Sequence, residues 1–192
     1  MTRIVAGSAG GRTLVVPRRG TRPTSERVRE ALFSRLEHRG VVAGARVLDL
    51  YAGSGALGLE AASRGASSVT LVESSREAAD VCRRNATTLG LADRVLVAAE
   101  RVEQFVARPV ARPWRLVLLD PPYDLTAAAL DAVLAALAGA VDSDGLVVVE
   151  RSTRSPEPGW PAGLTRDDDR RYGDTRMWFA VPGTAATGSD PA

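Results

Sequence analysis

Residues 115–123 read RLVLLDPPY, an apolar run that closes on an acid, two prolines and a tyrosine. An ionised Asp120 is an acceptor-only group with two oxygens. Pro121 and Pro122 fix their backbone and offer carbonyl oxygens without N–H groups of their own to compete for them. Tyr123 adds a flat aromatic face. A carboxylate and a carbonyl beneath an aromatic ring suit a planar, neutral group with two N–H donors, and the exocyclic amine of a nucleobase is such a group. Its lone pair is normally delocalised into the ring. Accepting both protons favours a pyramidal nitrogen that can attack a methyl donor, and a carboxylate stabilises the charge that grows there more in the transition state than in the ground state. Stacking on Tyr123 would hold the base in line. The plain alternative for the same residues is a strand-ending turn with proline at its favoured positions.

A second constellation, VLDLYAGSGALGLE, sets Gly53, Gly55 and Gly58 in GxGxxG spacing between an apolar strand and a helical stretch. Dinucleotides and S-adenosylmethionine (AdoMet) both use such loops, where the backbone must approach a ligand. In a dinucleotide site the first glycine usually ends the strand at once, so that helix amides receive the pyrophosphate. Here Asp49 closes the strand, and Tyr51 and Ala52 separate it from Gly53. A carboxylate at that mouth repels pyrophosphate and suits a ligand carrying an ammonium and a sulfonium. Glu73, at the end of SVTLVE, can accept both ribose hydroxyls of either cofactor. After the third strand, VLVAAER leaves Glu100 or Arg101 to face an adenine, and the register stays open because neighbours alternate sides. The cofactor-side candidates are therefore Asp49, Tyr51, Ala52, Gly53, Ser54, Gly55, Glu73, Ser74, Glu100 and Arg101.

These residues need a scaffold that brings strand ends together. From Arg46 onward, apolar strands alternate with amphipathic helices through GLVVVE, the pattern of a parallel sheet covered on both faces. In such sheets the carboxyl ends of strands flanking the topological switch point meet in one crevice, which would place Asp120 beside Asp49 and the glycine loop. LTRDDDRRYGDTRMWFAV reads as an antiparallel hairpin turning at Gly173-Asp174. Upstream, RIVAGSAGGRTLVVP suggests a hairpin or an open glycine-rich turn. A helix should begin at Thr24 or Ser25, with Val28, Ala31, Leu32 and Leu36 on one face and Arg27, Arg29 and Arg35 largely off that stripe. The expected organisation is an extension over 1–40, a main domain over 41–182 and a disordered tail over 183–192.

Length and composition narrow the classes further. A chain of 192 residues with 45% hydrophobic and 25% charged residues suits one sizeable core. No apolar run approaches the roughly 20 residues needed to span a bilayer. The start carries no signal-peptide core, so a cytoplasmic protein without a membrane is expected. One cysteine and one histidine leave no disulfide or multi-cysteine metal site, and no metal is expected. Residues 1–40 hold nine Arg against three Glu, a local +6, whereas the whole chain carries only +2. All the basic residues are arginine, and planar guanidinium groups suit bidentate phosphate contacts. A solvated charged face is the bland alternative.

The residues above resemble the AdoMet-dependent methyltransferases with a Rossmann-like fold, in particular the amino-methylating group with (N/D)PP(Y/F). AGSAGGRTLVVP, RPTSERVREALF and RYGDTRMWF are similar to one branch, the RsmD family of 16S rRNA guanine-N2 methyltransferases, over about Arg3 to Ala180. The resemblance implies an α/β fold with an about seven-stranded, mostly parallel sheet, an antiparallel C-terminal hairpin and a small N-terminal hairpin-and-helix extension. It implies AdoMet as cofactor and 16S rRNA or the small ribosomal subunit as partner, the protein acting as a monomer. Asp120, Pro121, Pro122 and Tyr123 match the target-amine motif. Asp49, Gly53, Gly55 and Glu73 match the AdoMet site. Arg3, Arg12, Arg22, Pro23, Thr24 and Arg27 fall in the part expected to meet RNA. The motif serves adenine N6 as well as guanine N2, so an adenine methyltransferase on DNA or RNA is the alternative. An oxidoreductase is disfavoured by Asp49, and a non-catalytic RNA-binding protein by the intact DPPY.

Overall fold

The protein is seen in a computed structural model that describes residues 2–17 and 25–183. In chain order the elements are β1 (Thr2–Arg3), β2 (Thr13–Leu14), α1 (Glu26–His38), β3 (Arg46–Leu50), α2 (Ala56–Ser63), β4 (Ser68–Val72), α3 (Arg76–Leu89) and β5 (Val95–Ala98). There follow α4 (Val102–Val106), β6 (Trp114–Leu119), α5 (Ala127–Leu137), β7 (Val141–Ser152), β8 (Leu164–Tyr172) and β9 (Thr175–Pro182). Seven strands form one sheet in the order β5-β4-β3-β6-β7-β9-β8. The first five are parallel, while β9 runs antiparallel to β7 and to β8. The fold is the α/β, Rossmann-like one expected, with its C-terminal hairpin and N-terminal extension.

The strands read as apolar runs because both faces are covered. Leu116 and Leu118 of β6 join the core beneath α1, α2 and α3, while Val117 and Leu119 join the core beneath α4 and α5. That is the two-residue alternation of a strand with no wet face. The chain leaves β3 towards β4 on one side and returns to β6 on the other, so the switch point lies between β3 and β6. There the Asp120 N–H approaches the Leu50 carbonyl at 3.4 Å.

The extension is built into this core. Buried Glu60 of α2 accepts from the Val5 N–H at 2.8 Å and the Ala6 N–H at 3.0 Å. Ser63 accepts through its carbonyl from the Ser8 N–H at 2.8 Å and through Oγ from the Ala9 N–H at 2.9 Å. Gly7 lies in the left-handed region at φ +83°, and a Cβ there would stand 2.1 Å from the Ser63 carbonyl oxygen. The glycine-rich stretch is therefore a docking surface for the end of α2. It is short of strand because Val5 and Ala6 give their donors to a carboxylate instead of a ladder.

Helix α1 begins as expected, with Ser25 Oγ accepting from the Val28 N–H at 3.3 Å, and it buries Leu32, Phe33 and Leu36. Its arginines depart from expectation. Arg29 is fully buried and donates to the Arg3 carbonyl. Burial lowers its pKa, opposed by Glu60, Glu26 and Glu150. Arg35 pairs with Asp168 and lies 5.0 Å from the centre of the Phe179 ring, and Arg39 reaches Asp167 at 2.7 Å. These pairs tie α1 to β8, so two of the charges in the local +6 are met by acids of the hairpin. Thr24, the other expected capping residue, lies outside the described residues.

Candidate active site

Strand-end geometry gathers one group of the expected residues around a cavity of about 790 Å3, within the range of small-molecule sites. Tyr51, Gly53, Glu73 and Ser74 line one side, and Asp120, Pro121, Pro122 and Tyr123 line another. Tyr123 is 85% exposed, so its ring stands open to an incoming planar group. The Pro122 carbonyl accepts from the Leu125 N–H at 3.0 Å and from Arg151 Nη1 at 3.3 Å. The Pro121 carbonyl takes part in none of the described hydrogen bonds. Of the two proline oxygens, it is the one left to act as an acceptor beside Asp120.

The glycine loop is held by two carboxylates. Glu73 Oε2 accepts from the Gly53 N–H at 2.9 Å, and Oε1 accepts from the Ser75 N–H at 2.7 Å and, longer, from Ser74 Oγ at 3.5 Å. A carboxylate offers about four lone-pair sites, so Glu73, with three of them engaged, keeps capacity for one ligand hydroxyl. Asp49 differs from the expectation of an acid opening onto the crevice. It lies one residue before the end of β3, is 1% exposed, and accepts from the Gly58 N–H at 2.8 Å beneath the loop. Burial pushes its carboxyl up to about 7, with the Gly58 hydrogen bond opposing and Glu73 adding to the rise. Two of the amides at the start of this loop and helix, Gly53 and Gly58, already face carboxylates.

Close packing explains the third glycine. A Cβ on Gly58 would stand 2.3 Å from Leu71 Cδ2 and 2.9 Å from Val69 Cγ1. Tyr51, at φ 61°, is the one described non-glycine residue with a positive φ, and such strain collects at ligand sites. Its ring packs against the core while its buried hydroxyl has no partner among the described residues, and burial pushes that hydroxyl up to about 12. Cys82 is buried beneath the loop, its thiol 3.3 Å from the Gly53 carbonyl and pushed up to about 12 by burial.

Other candidates stand elsewhere. Ala52, Ser54 and Gly55 shape the loop without lining the cavity; Gly55 starts α2 in the left-handed region at φ +79°. Ser54 offers its carbonyl to Asn85 Nδ2 at 2.9 Å. Glu100 pairs with Arg108 and Arg101 pairs with Glu103 at 3.2 Å, and neither lines the cavity. Arg12 donates to the Leu89 carbonyl at 3.0 Å and to that of Thr88, so it caps the end of α3. Arg3 pairs with Glu26 at 2.9 Å, whereas Arg27 is exposed. Arg22, Pro23 and Thr24 lie outside the described residues. Among the described residues no His, Cys, Asp and Glu gather as metal ligands, and no helix is long and apolar enough to cross a membrane.

The fold also adds residues that the sequence did not place. Pro17, Ser25 and Val28 of the extension, Glu150 and Arg151 at the end of β7, and Tyr172 to Thr175 of the hairpin all line the cavity. The hairpin turn arrives there because Ser152 pairs with Thr175 and the Thr153 N–H donates to the Asp174 carbonyl at 2.9 Å. YGDT was visible as a turn; only strand order shows what it faces.

Comparison with known proteins places these features in company. A family model described as conserved hypothetical protein 95 matches residues 2–181. Ribosomal RNA small subunit methyltransferase D of Escherichia coli K12 is 43% identical over 122 residues, covering 63% of this chain and 60% of the relative. The match thus spans less than two thirds of that protein. YlbH of Bacillus subtilis, provisionally named an rRNA methyltransferase, is 32% identical over 90% of this chain and 95% of its own. Among solved structures, the Escherichia coli protein yhhF, provisionally titled a methyltransferase, superposes with a TM-score of 0.84 at 33% identity, covering 96% of this chain and 99% of that one.

Proposed function

The chain belongs to the family described as conserved hypothetical protein 95, the RsmD family, and from that premise and the cavity we propose that it methylates the exocyclic N2 amine of a guanine in 16S rRNA, using AdoMet. The observation that carries this reading is the shared cavity: Asp120, Pro121 and Tyr123 face the same space as Glu73 and the glycine loop. The residues fit an AdoMet nucleoside. Gly53 and Gly58 keep the loop backbone close, Glu73 has acceptor capacity for the ribose, and Ser74 lies beside it. Bound there, AdoMet supplies an electrophilic methyl group.

The chain's own residues act on the amine. Asp120 and the Pro121 carbonyl accept its two N–H groups, which frees the nitrogen lone pair. The Asp120 carboxylate stabilises the positive charge that develops on nitrogen as the N–C bond forms and the methyl–sulfur bond breaks to leave S-adenosylhomocysteine, and the proton passes afterwards to water because the methylated amine is acidic. Tyr123 stacks on the base and limits its approach angles. Guanine shows its N2 amine on the minor-groove and Watson–Crick side, so the enzyme takes an unpaired or extruded base. Exposed arginines such as Arg27 contact flanking phosphates, a contribution that weakens with salt.

The deciding experiment incubates the protein with labelled AdoMet and, separately, hypomethylated small subunits, naked 16S RNA and DNA, then maps the label. Methyl transfer to guanine N2 in the RNA is the expected result. Label on adenine N6, or on DNA alone, overturns the proposal in favour of the adenine alternative.

A further inference from the structure

The loop that carries the acceptors is poor in backbone hydrogen bonds among the described residues. Pro121 and Pro122 lack backbone donors, so within residues 120–125 the described backbone bonds are the 3.4 Å approach of Asp120 N to Leu50 and the Leu125 N–H to the Pro122 carbonyl. Arg151 adds two side-chain hydrogen bonds to it. From the end of β7, the neighbour of β6 in the sheet, Nη1 donates to the Pro122 carbonyl at 3.3 Å and Nη2 to the Leu125 carbonyl at 3.0 Å. One guanidinium thus bridges both ends of the Pro122–Leu125 turn. The next residue, Ser152, pairs with Thr175, so the same strand end carries the YGDT turn.

Resting on the amine-methylation reading above, we propose that Arg151 is a positioning residue: its planar fork fixes the Asp120–Tyr123 loop and sets the rate of methyl transfer. By engaging the Pro122 oxygen it leaves the Pro121 oxygen to the amine. It also holds the loop in register with the hairpin that forms the opposite wall of the cavity. Two parallel donors in a rigid plane are required, which Arg offers and the point charge of Lys does not.

The test has two arms. In the substrate-free arm, hydrogen exchange at the Leu125 amide is followed in the wild type, Arg151→Lys and Arg151→Ala. Exchange in Arg151→Ala should quicken about tenfold, the scale of one hydrogen bond's net contribution, with Arg151→Lys between. In the second arm, single-turnover transfer to saturating hypomethylated small subunits should fall about 10²-fold in Arg151→Ala, as for a displacement near 1 Å. Affinity for S-adenosylhomocysteine by calorimetry should stay within about twofold of wild type, and millimolar ethylguanidinium should restore part of the Arg151→Ala rate. Unchanged Leu125 exchange overturns the proposal, as does quickened exchange with a rate near wild type. A loss confined to RNA affinity, with the saturated rate intact, overturns it in favour of a direct phosphate contact. Should Arg151→Ala fail to fold, Arg151→Gln replaces it in both arms. If the wild type itself transfers no methyl to small subunits, the functional reading fails, while the exchange arm still decides the loop.

Discussion

Asp49→Asn should reverse its effect on stability between acid and alkaline pH. The Asp49 carboxyl stands at about 7 in the folded chain against an ordinary 3.8, because burial penalises its charged form more than the Gly58 N–H compensates. A raised pKa means that the folded state keeps a proton which the unfolded chain releases. The resulting stability is fully present below pH 3.8 and is lost as pH climbs through about 7. Over those roughly three units, at about 1.4 kcal/mol each, the wild type loses about 4 kcal/mol through this one group. Asparagine does not titrate. It keeps an oxygen for Gly58 but brings an amide N–H2 into a buried place, at a cost of about 1–3 kcal/mol. The variant should therefore be less stable than wild type at pH 4.5 and more stable at pH 8. Between pH 4.5 and 8 the difference changes by about 3 kcal/mol, which for a chain of this length is a swing in relative Tm of about 6–13 °C. Thermal melts of both proteins at matched pH and ionic strength measure it, since other titrating groups cancel in the difference. A wild-type-to-variant difference that stays flat from pH 4.5 to 8 would refute the assignment of a costly buried charge to Asp49.

Asp120→Ala should lower methyl transfer by about 10²–10³-fold, the range for removing one preorganised charge partner, while calorimetry finds AdoMet affinity within about twofold. Equal losses in both would contradict the division between amine and cofactor residues. Gly58→Ala should cost about 1–3 kcal/mol by overpacking against Leu71 and Val69, read as a lower urea midpoint; no change would show that α2 shifts freely. Arg12→Ala should lower Tm with little change in the salt dependence of RNA binding, because its guanidinium caps α3. Arg27→Ala should instead reduce the slope of log K against log salt by about 0.7–0.9, one phosphate contact, and leave Tm within a degree or two. The reverse pattern would exchange the roles of the two arginines.

Local pattern made much of this legible in the sequence. The unbroken apolar run LVLL, the Ser25 cap and the Gly173-Asp174 turn are short-range signals, and the fold realises each of them. Two departures share one cause, the burial of a charged residue. Arg29 reads as a surface residue, yet it lies in the core because the Arg3 carbonyl and nearby acids receive it. Asp49 reads as a strand end because one acid in RVLDL cannot reveal that Gly58 waits beneath it. Glu100 and Arg101 depended on a register that four residues of β5 do not determine. The cavity's far wall was hidden for a different reason. Inserting β9 between β7 and β8 is a long-range pairing, and only that pairing brings YGDT and Arg151 to the DPPY loop.

Glu60 gives a warning to anyone who would map the RNA contacts by trimming the chain. Removing the first 17 residues takes away the Val5 and Ala6 N–H groups that face its buried carboxylate, at about 1.5–3 kcal/mol for each charge-assisted bond. Arg64 at 2.8 Å and the buried Arg29 nearby then have to balance that charge without those donors, at the far end of the eight-residue helix that opens on the glycine loop. A shortened protein that neither grips RNA nor holds AdoMet would therefore report a slackened helix. Point changes at exposed arginines, which leave Glu60 its donors, can separate recognition from folding where deletion cannot.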